Sequence, residues 1–154
     1  MGKIDPYTIP ERSGSGYPAP FDEACRGRHV KQIGDAAGLT QFGVLLVRLS
    51  PGAWSGQRHW HALEDEFVRV LEGEVVMVTD EGEQTLRPGD NVGFAAGVRN
   101  GHCLQNRTTR DALLLTVGSR VDTDHGEYPD IDMAFGLDPV TGYDGYRHKD
   151  GRPY

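Results

Sequence analysis

The chain has little cysteine, a deficit of basic residues and no long apolar run. Its 154 residues include two cysteines, Cys25 and Cys103, so no disulfide framework is indicated and we expect both thiols to stay reduced. Lys and Arg number 16 against 23 Asp and Glu, which gives a formal net charge of -7. The sequence lacks the basic stripe that binding to a phosphate backbone requires. The composition therefore argues against a nucleic-acid partner.

No segment of the sequence is apolar over a length that could cross a bilayer. The first 25 residues contain four prolines and lack the apolar stretch of a secretion signal. We therefore expect a cytoplasmic protein that has no membrane partner. A chain of 154 residues fits one domain and leaves no room for a separate catalytic or DNA-binding module.

Three zones of different composition divide the chain. Residues 1–24 are rich in Pro, Gly and Ser and show no periodicity, which predicts an N-terminal arm. Residues 25–120 hold short apolar runs separated by Gly or Pro, and no helical period extends over about eleven residues or more. This pattern predicts an all-β barrel or sandwich. The runs are Phe42 to Leu49, Glu66 to Leu71, Val75 to Thr79, Val92 to Phe94, His102 to Gln105 and Ala112 to Val117.

Two turns between these runs have a defined chemistry. The segment Asp80-Glu81-Gly82 predicts a short hairpin loop in which the glycine adopts a positive φ. The pair Pro88-Gly89 predicts a type II turn, because proline fixes φ at the first central position and glycine accepts a positive φ at the second.

Residues 121–154 carry most of the net negative charge yet contain four tyrosines. A disordered acidic segment is poorer in aromatic residues than this. We therefore expect an irregular, acidic and Tyr-rich tail that packs on the barrel, with Tyr128 to Asp132 as an extended segment. The tail could cover an open sheet edge or close over the barrel mouth as a lid, and the sequence leaves both open.

The stretch from Gly52 to Gly73 carries the clearest chemical signal. Residues two apart on a strand face the same side, so His59 and His61 can point at one ion, and Glu66 can reach it from the next strand. Two imidazoles and a carboxylate form a divalent-metal site that lacks one or two further ligands. His102 opens a later apolar run after a Gly-rich turn and can supply one. The other histidines have no such context and are expected at the surface or in packing; they are His29, His125 and His148.

These residues resemble two motifs of the cupins. The first motif is a Gly, then His-x-His, a Glu and a Gly, and it is matched by Gly52, His59, His61, Glu66 and Gly73. The second is matched by Gly89, Gly97, His102 and Asn106. Six residues separate Gly52 from His59 where five are usual, four separate Gly97 from His102 where two are usual, and Ala95 stands where a proline is usual. The departures concern loop geometry and leave the ligand types intact.

The resemblance implies a double-stranded β-helix, or jelly-roll, cupin barrel. It also implies that four residues bind a divalent transition metal: His59, His61, Glu66 and His102. Three nitrogen donors and one oxygen donor suit Zn, Mn, Fe, Ni or Co, and the donor set does not choose among them. A homodimer is expected from the family and agrees with the run Ala112 to Val117, which is apolar on both faces.

The function that the resemblance implies is metal-dependent chemistry on a small-molecule ligand. The metal would act as a Lewis acid on an oxygenated metabolite, in an isomerase, lyase or dioxygenase. Small stand-alone cupins of this kind are often labelled sugar-phosphate isomerases by similarity. The alternatives are a metal-dependent binding or sensing protein without turnover, and a dimer in which the metal only stiffens the barrel.

Strand parity predicts a largely apolar cavity beside the metal. Val68, Val70, Leu104 and Asn106 share the inward side with the ligands, whereas six residues are expected to face out: Arg58, Trp60, Phe67, Arg69, Cys103 and Gln105. Arg48 and Arg99 are then the only nearby cations for a phosphate, so we favour a substrate with a carbonyl, carboxylate or enol group. No catalytic residue is assigned. A base could be metal-bound hydroxide, Glu64, Asp65 or a tail tyrosine.

Overall fold

The computed structural model describes residues 2–154, and these residues form short antiparallel strands with little helix. The all-β prediction is confirmed. One short helix, α1, spans Ile33–Ala36, and 3-10 turns span Pro6–Thr8 and Glu23–Cys25. The strands are β1 (Arg12–Ser13), β2 (Arg28–Lys31), β3 (Phe42–Leu49), β4 (Trp60–His61), β5 (Glu66–Glu72), β6 (Val75–Thr79), β7 (Gly82–Leu86), β8 (Asn91–Phe94), β9 (Cys103–Gln105), β10 (Ala112–Ser119), β11 (His125–Tyr128) and β12 (Met133–Gly136).

Two sheets enclose the core of the barrel. The larger sheet has the order β1-β2-β3-β10-β5-β8, and the smaller has the order β7-β6-β9. Because side chains alternate along each strand, one face of each sheet supplies the interior. The core is formed by aliphatic side chains from both sheets, among them Val47, Leu49, Val68, Val70, Val75, Leu86, Leu104 and Leu114.

The predicted turns are confirmed. Gly82 has a φ of +118° at the end of the β6–β7 hairpin, and Gly89 has a φ of +98° in a turn closed by the Asp90 N–H to the Arg87 carbonyl, 2.9 Å. Gly73, the last residue of the first motif, has a φ of +75°, and a Cβ there would lie 2.6 Å from the Asp111 carbonyl oxygen. Only glycine fits this turn between β5 and β6 without strain.

The two ends of the chain are more regular than the sequence predicts. Strand β1 pairs with β2 in register Arg12 with Val30, so the arm adds an edge strand to the larger sheet. In the tail, β11 and β12 form a hairpin that pairs with β4 in a third sheet, of order β12-β11-β4. The expected extended segment from Tyr128 to Asp132 is wrong, because residues 129–132 form the hairpin turn. The boundaries 1–24, 25–120 and 121–154 stay a prediction.

Both cysteines are buried and form no disulfide. Within residues 2–154, no helix has the length and apolar character needed to cross a membrane.

Candidate metal centre

The backbone brings His59 and His102 face to face. The His59 N–H donates to the His102 carbonyl at 3.1 Å, and the His102 N–H donates to the His59 carbonyl at 2.8 Å. In an antiparallel pair of this kind, directly opposite side chains lie on the same side. The centroids of the two imidazole rings are accordingly 5.0 Å apart.

The other two predicted ligands approach the same point. His61 lies two residues after His59, in β4, and Glu66 begins β5. Donor atoms of His59, His61 and Glu66 all lie within 4.8 Å of one another, and His102 Nε2 is 3.0 Å from Glu66 Oε2. The four side chains selected from the sequence therefore converge. Their role as ligands stays a prediction.

Hydrogen bonds fix the orientation of two of the rings. His59 Nδ1 donates to the Gln57 carbonyl at 2.7 Å, and His61 Nδ1 donates to Asp124 Oδ2 at 2.6 Å. A carbonyl and a carboxylate can only accept, so Nδ1 carries a proton on both rings, and in the neutral imidazole Nε2 is the nitrogen that keeps its lone pair. Such contacts are typical of histidines that bind metals.

Sequence reasoning missed Asp124. Its carboxylate is 8% exposed and also accepts a hydrogen bond from the Leu63 N–H at 2.8 Å, so it joins the tail to the loop after His61. No motif marks this residue, and its position near His61 depends on the pairing of β11 with β4.

The His102 ring is oriented by stacking. The Phe94 and His102 rings are parallel within 2°, with centroids 3.5 Å apart. His102 Nδ1 is buried and has no hydrogen-bond partner in the described chain, whereas Nε2 faces Glu66. Stacking on Phe94 therefore orients the His102 ring, whereas hydrogen bonds orient the His59 and His61 rings.

The protonation states of His59 and Glu66 suit a cation. Burial, reinforced by the nearby His102, lowers the pKa of His59 to about 4, so the imidazole is neutral at neutral pH. Burial acts to raise the pKa of Glu66, but the hydrogen bond from His102 and the electrostatic effect of the three neighbouring histidines outweigh it, and the pKa lies below its usual value. Neutral imidazole and ionised carboxylate are the forms that bind divalent metals. The residues present therefore fit such an ion.

Comparison with known proteins decides the family. Residues 45–118 match the model of the cupin domain. A crystal structure of a sugar phosphate isomerase from a cupin superfamily, from Silicibacter pomeroyi, is 46% identical, with a TM-score of 0.92 over 99% of this chain and 96% of that one. The chain belongs to the cupin superfamily. The predicted cupin barrel is thereby confirmed.

Two other solved structures resemble this cupin less closely. A protein from Acidithiobacillus ferrooxidans, named provisionally as a sugar phosphate isomerase, is 34% identical, with a TM-score of 0.67 over 70% of this chain and 68% of that one. The polyketide cyclase RemF from Streptomyces resistomycificus is 19% identical, with a TM-score of 0.61 over 77% and 79%, a likeness of fold alone. A search of the curated proteins returned no match.

All four converging residues line one cavity of the cupin barrel, with a volume of about 450 Å³. The cavity is less uniformly apolar than expected, because polar and apolar side chains both line it. Leu45, Val47, Phe94 and Leu104 line it together with polar side chains from the arm, the barrel and the tail. The uncharged and basic ones are Ser15, Tyr17, Arg28, Gln32, Ser55, Thr116, Ser119, Arg120 and Tyr146. The alternation of side chains predicts inward positions only for strands that the sequence indicates, and β2 has no apolar run that indicates a strand.

Arg48 and Arg99, which the sequence suggests as cations for a phosphate, do not line this cavity. Arg48 forms ion pairs with Glu11 and Asp111, at 2.7 and 3.0 Å. Arg99 lies over the Trp60 ring, 5.0 Å from its centroid.

Residues expected to face out differ in exposure. Phe67 is 44% exposed, as expected for an outward position. Trp60, Cys103 and Gln105 are buried despite their predicted outward orientation. Tail and loop segments near these strands account for part of this burial, since β11 pairs directly with β4 at Trp60.

Two carboxylates outside the predicted ligand set line the cavity. Glu64 Oε1 accepts from the Val121 N–H at 2.7 Å, and Glu64 also lies within a close group with His61 and Asp124. Asp65 Oδ1 accepts from the Ala96 N–H at 2.9 Å. Glu64 therefore has one oxygen held by the backbone and one that forms no hydrogen bond within residues 2–154.

The remaining candidates have structural partners. Asn106 is fully buried and donates to the Leu49 and Arg110 carbonyls, at 2.8 and 2.7 Å, which is a packing role. Three histidines lie outside the group of four: His29 bonds to Ser13, His125 contacts the Thr123 carbonyl, and His148 bonds to Asp132.

Proposed function

We propose that this cupin is a metal-dependent enzyme that acts on a small oxygenated metabolite. Its four ligands are His59, His61, Glu66 and His102, and the ion is divalent Zn, Mn, Fe, Ni or Co. The observation that supports this most strongly is the convergence of the four side chains on one cavity, with two rings oriented by hydrogen bonds. A divalent ion bound there supplies Lewis-acid polarisation of a substrate oxygen.

The proposed reaction is isomerisation of a sugar phosphate or a related hydroxy-carbonyl compound. The 46% identity to the Silicibacter pomeroyi protein over nearly the whole chain supports this class. Isomerisation requires a base that moves a proton between neighbouring carbons, and Glu64 lines the cavity beside His61 with one oxygen free of hydrogen bonds.

We further propose that the protein is a cytoplasmic homodimer. The two free buried thiols agree with a reducing compartment. Strand β10 places Leu113, Leu115 and Val117 on the outward face of the larger sheet, which favours a partner of the same kind.

Metal analysis tests the centre. Protein purified without chelator or affinity resin is expected to carry about one metal ion per chain, and His59→Ala is expected to lose most of it because it removes one of four donors. His148→Ala removes an imidazole outside the cluster and should keep the metal. Equal metal content in wild type and His59→Ala would refute the site.

Turnover tests the enzyme claim. Interconversion of sugar phosphates can be followed by NMR with metal-loaded protein, and Glu64→Gln is expected to keep the metal but lower the rate by roughly 10²- to 10⁴-fold, the range for general acid–base catalysis. Glu72→Gln, on an exposed strand end, is the matched control. Ligand binding without turnover in the wild type would favour the binding or sensing alternative.

A further inference from the structure

One arginine lines the metal cavity without an ionic partner. Arg28 begins β2, and it shares a strand face with Val30, which is 7% exposed and belongs to the core. Residues two apart on a strand point the same way. Arg28 is therefore directed to the barrel side, where it lines the same cavity as the four converging residues.

The guanidinium of Arg28 is poorly satisfied. Its Nε is buried and has no hydrogen-bond partner, and the one hydrogen bond that the guanidinium makes within residues 2–154 is long, from Nη1 to the Gly14 carbonyl at 3.5 Å. Within residues 2–154 Arg28 forms no ion pair, although several other arginines pair with carboxylates; these are Arg26, Arg48, Arg58, Arg87, Arg107, Arg120, Arg147 and Arg152.

Among the described residues no carboxylate lies within ion-pair distance of Arg28, although Glu64, Asp65 and Glu66 also line the cavity. Gln32 and Ser15 line the same end of the cavity and are neutral. Arg120 also lines the cavity, but its guanidinium is bound to Asp35 and the Leu39 carbonyl. A buried donor of a charged group that lacks a partner is unfavourable, and an anion in the cavity would remove that penalty.

We propose that Arg28 binds an oxoanion group of the substrate, a phosphate or a carboxylate, at the end of the cavity lined by the arm. A guanidinium binds either group through two parallel N–H···O bonds. This assignment rests on the proposed function for the second contact, in which another oxygen of the same metabolite lies at the metal centre. It replaces Arg48 and Arg99, which the sequence had suggested for a phosphate.

Anion binding to substituted proteins tests the assignment. Dissociation constants for inorganic phosphate and for acetate follow from the shift of the thermal unfolding midpoint with concentration, at constant ionic strength. Arg28→Gln is expected to weaken binding at least tenfold, the effect of losing a charge-assisted hydrogen bond. Arg28→Lys keeps the positive charge but loses the two parallel N–H donors of the guanidinium, so its affinity for the anion should lie between those of the wild type and Arg28→Gln. This variant keeps the test valid if Arg28→Gln does not fold. Arg99→Gln should match the wild type.

Repeating the titration in His59→Ala separates this proposal from the metal centre. Anion binding that depends on Arg28 and persists in His59→Ala supports the Arg28 site even if the protein proves to hold no metal. Binding that is lost in His59→Ala but unchanged in Arg28→Gln would overturn it, as would an absence of binding of both anions to the wild type. Preference for phosphate over acetate, or the reverse, identifies the group.

Discussion

Asp124 controls the proton of His61 through one short hydrogen bond. The Asp124→Asn substitution keeps the shape of the side chain, and its oxygen can still accept from the Leu63 N–H. The amide nitrogen would then face His61 Nδ1 as a donor, which favours the tautomer with the proton on Nε2. We expect metal affinity to fall roughly tenfold to hundredfold, measured by competition with a chelator of known affinity.

The control for this prediction is Asp122→Asn. Asp122 is exposed, lies two residues away and makes no side-chain hydrogen bond among the described residues, so its loss should leave metal affinity unchanged. Equal affinity of Asp124→Asn and wild type would show that Asp124 does not position the ring.

The sequence predicts the group of four but not the residues around it. His59 and His61 are found by their spacing, and Glu66 and His102 by their place in the motifs, because these contacts are encoded within 52–106. Asp124 and Arg28 lie outside that segment. Asp124 reaches His61 through the pairing of β11 with β4, and Arg28 reaches the cavity through the pairing of β2 with β3; both pairings are tertiary contacts without a local signal.

At the level of elements, the β11–β12 hairpin is tied to the barrel by Arg58. This guanidinium, 14% exposed, donates through Nε to Asp130 Oδ2 at 2.7 Å and also contacts Asp130 Oδ1 and Asp80. The hydrogen bonds from Arg58 hold the pKa of Asp130 below its usual value of 3.8. The turn of the β11–β12 hairpin is therefore bound through Asp130 to Arg58, the residue that precedes His59.

This pair predicts a pH dependence of stability. The pKa of Asp130 is lower in the folded than in the unfolded state, so its contribution is present above the unfolded value of 3.8 and is lost as the pH falls through the lowered folded value. Asp130 is 59% exposed, so Asp130→Asn should cost only about 0.5–1 kcal/mol at neutral pH. Urea unfolding should show this difference at neutral pH and little difference well below pH 3.8.

Asp144→Asn is the matched control for the Asp130 variant. Asp144 is exposed and its carboxylate makes no ion pair in the part of the chain that the structure describes, so its substitution should change stability little at either pH. A destabilisation by Asp130→Asn that is the same at both pH values would argue against the ion pair as its cause.

The elements that the sequence predicts well are those with their own turn chemistry. The β6–β7 hairpin and the Pro88-Gly89 turn are marked by glycines at positive φ. Strand β2 has the polar sequence Arg-His-Val-Lys, and β11 has His-Gly-Glu-Tyr. Neither has a hydrophobic pattern that indicates a strand, and both are extended because a neighbouring strand pairs with them.

At the scale of the whole molecule, the larger sheet carries a row of apolar side chains along the outer face of β10. Its inner face carries Leu114 of β10, so the alternate residues Leu113, Leu115 and Val117 point outward. Leu115 lies in the middle, in register with Leu46 on one side and Arg69 on the other. Phe42 and Phe67 on the flanking strands are 42% and 44% exposed. An apolar face of this kind favours association.

We expect Leu115→Glu to convert the proposed homodimer to a monomer. The introduced carboxylate would replace an apolar contact at the centre of the interface and be duplicated by symmetry, and burying it beside Arg69 would desolvate both charges, which disfavours the dimer. Sedimentation velocity should show a dimer for the wild type and for Val140→Glu, a substitution at a position that is 90% exposed in the tail. The inward face would be unaltered, so the Leu115→Glu monomer should retain its metal. A wild-type protein that sediments as a monomer at all concentrations would contradict this association.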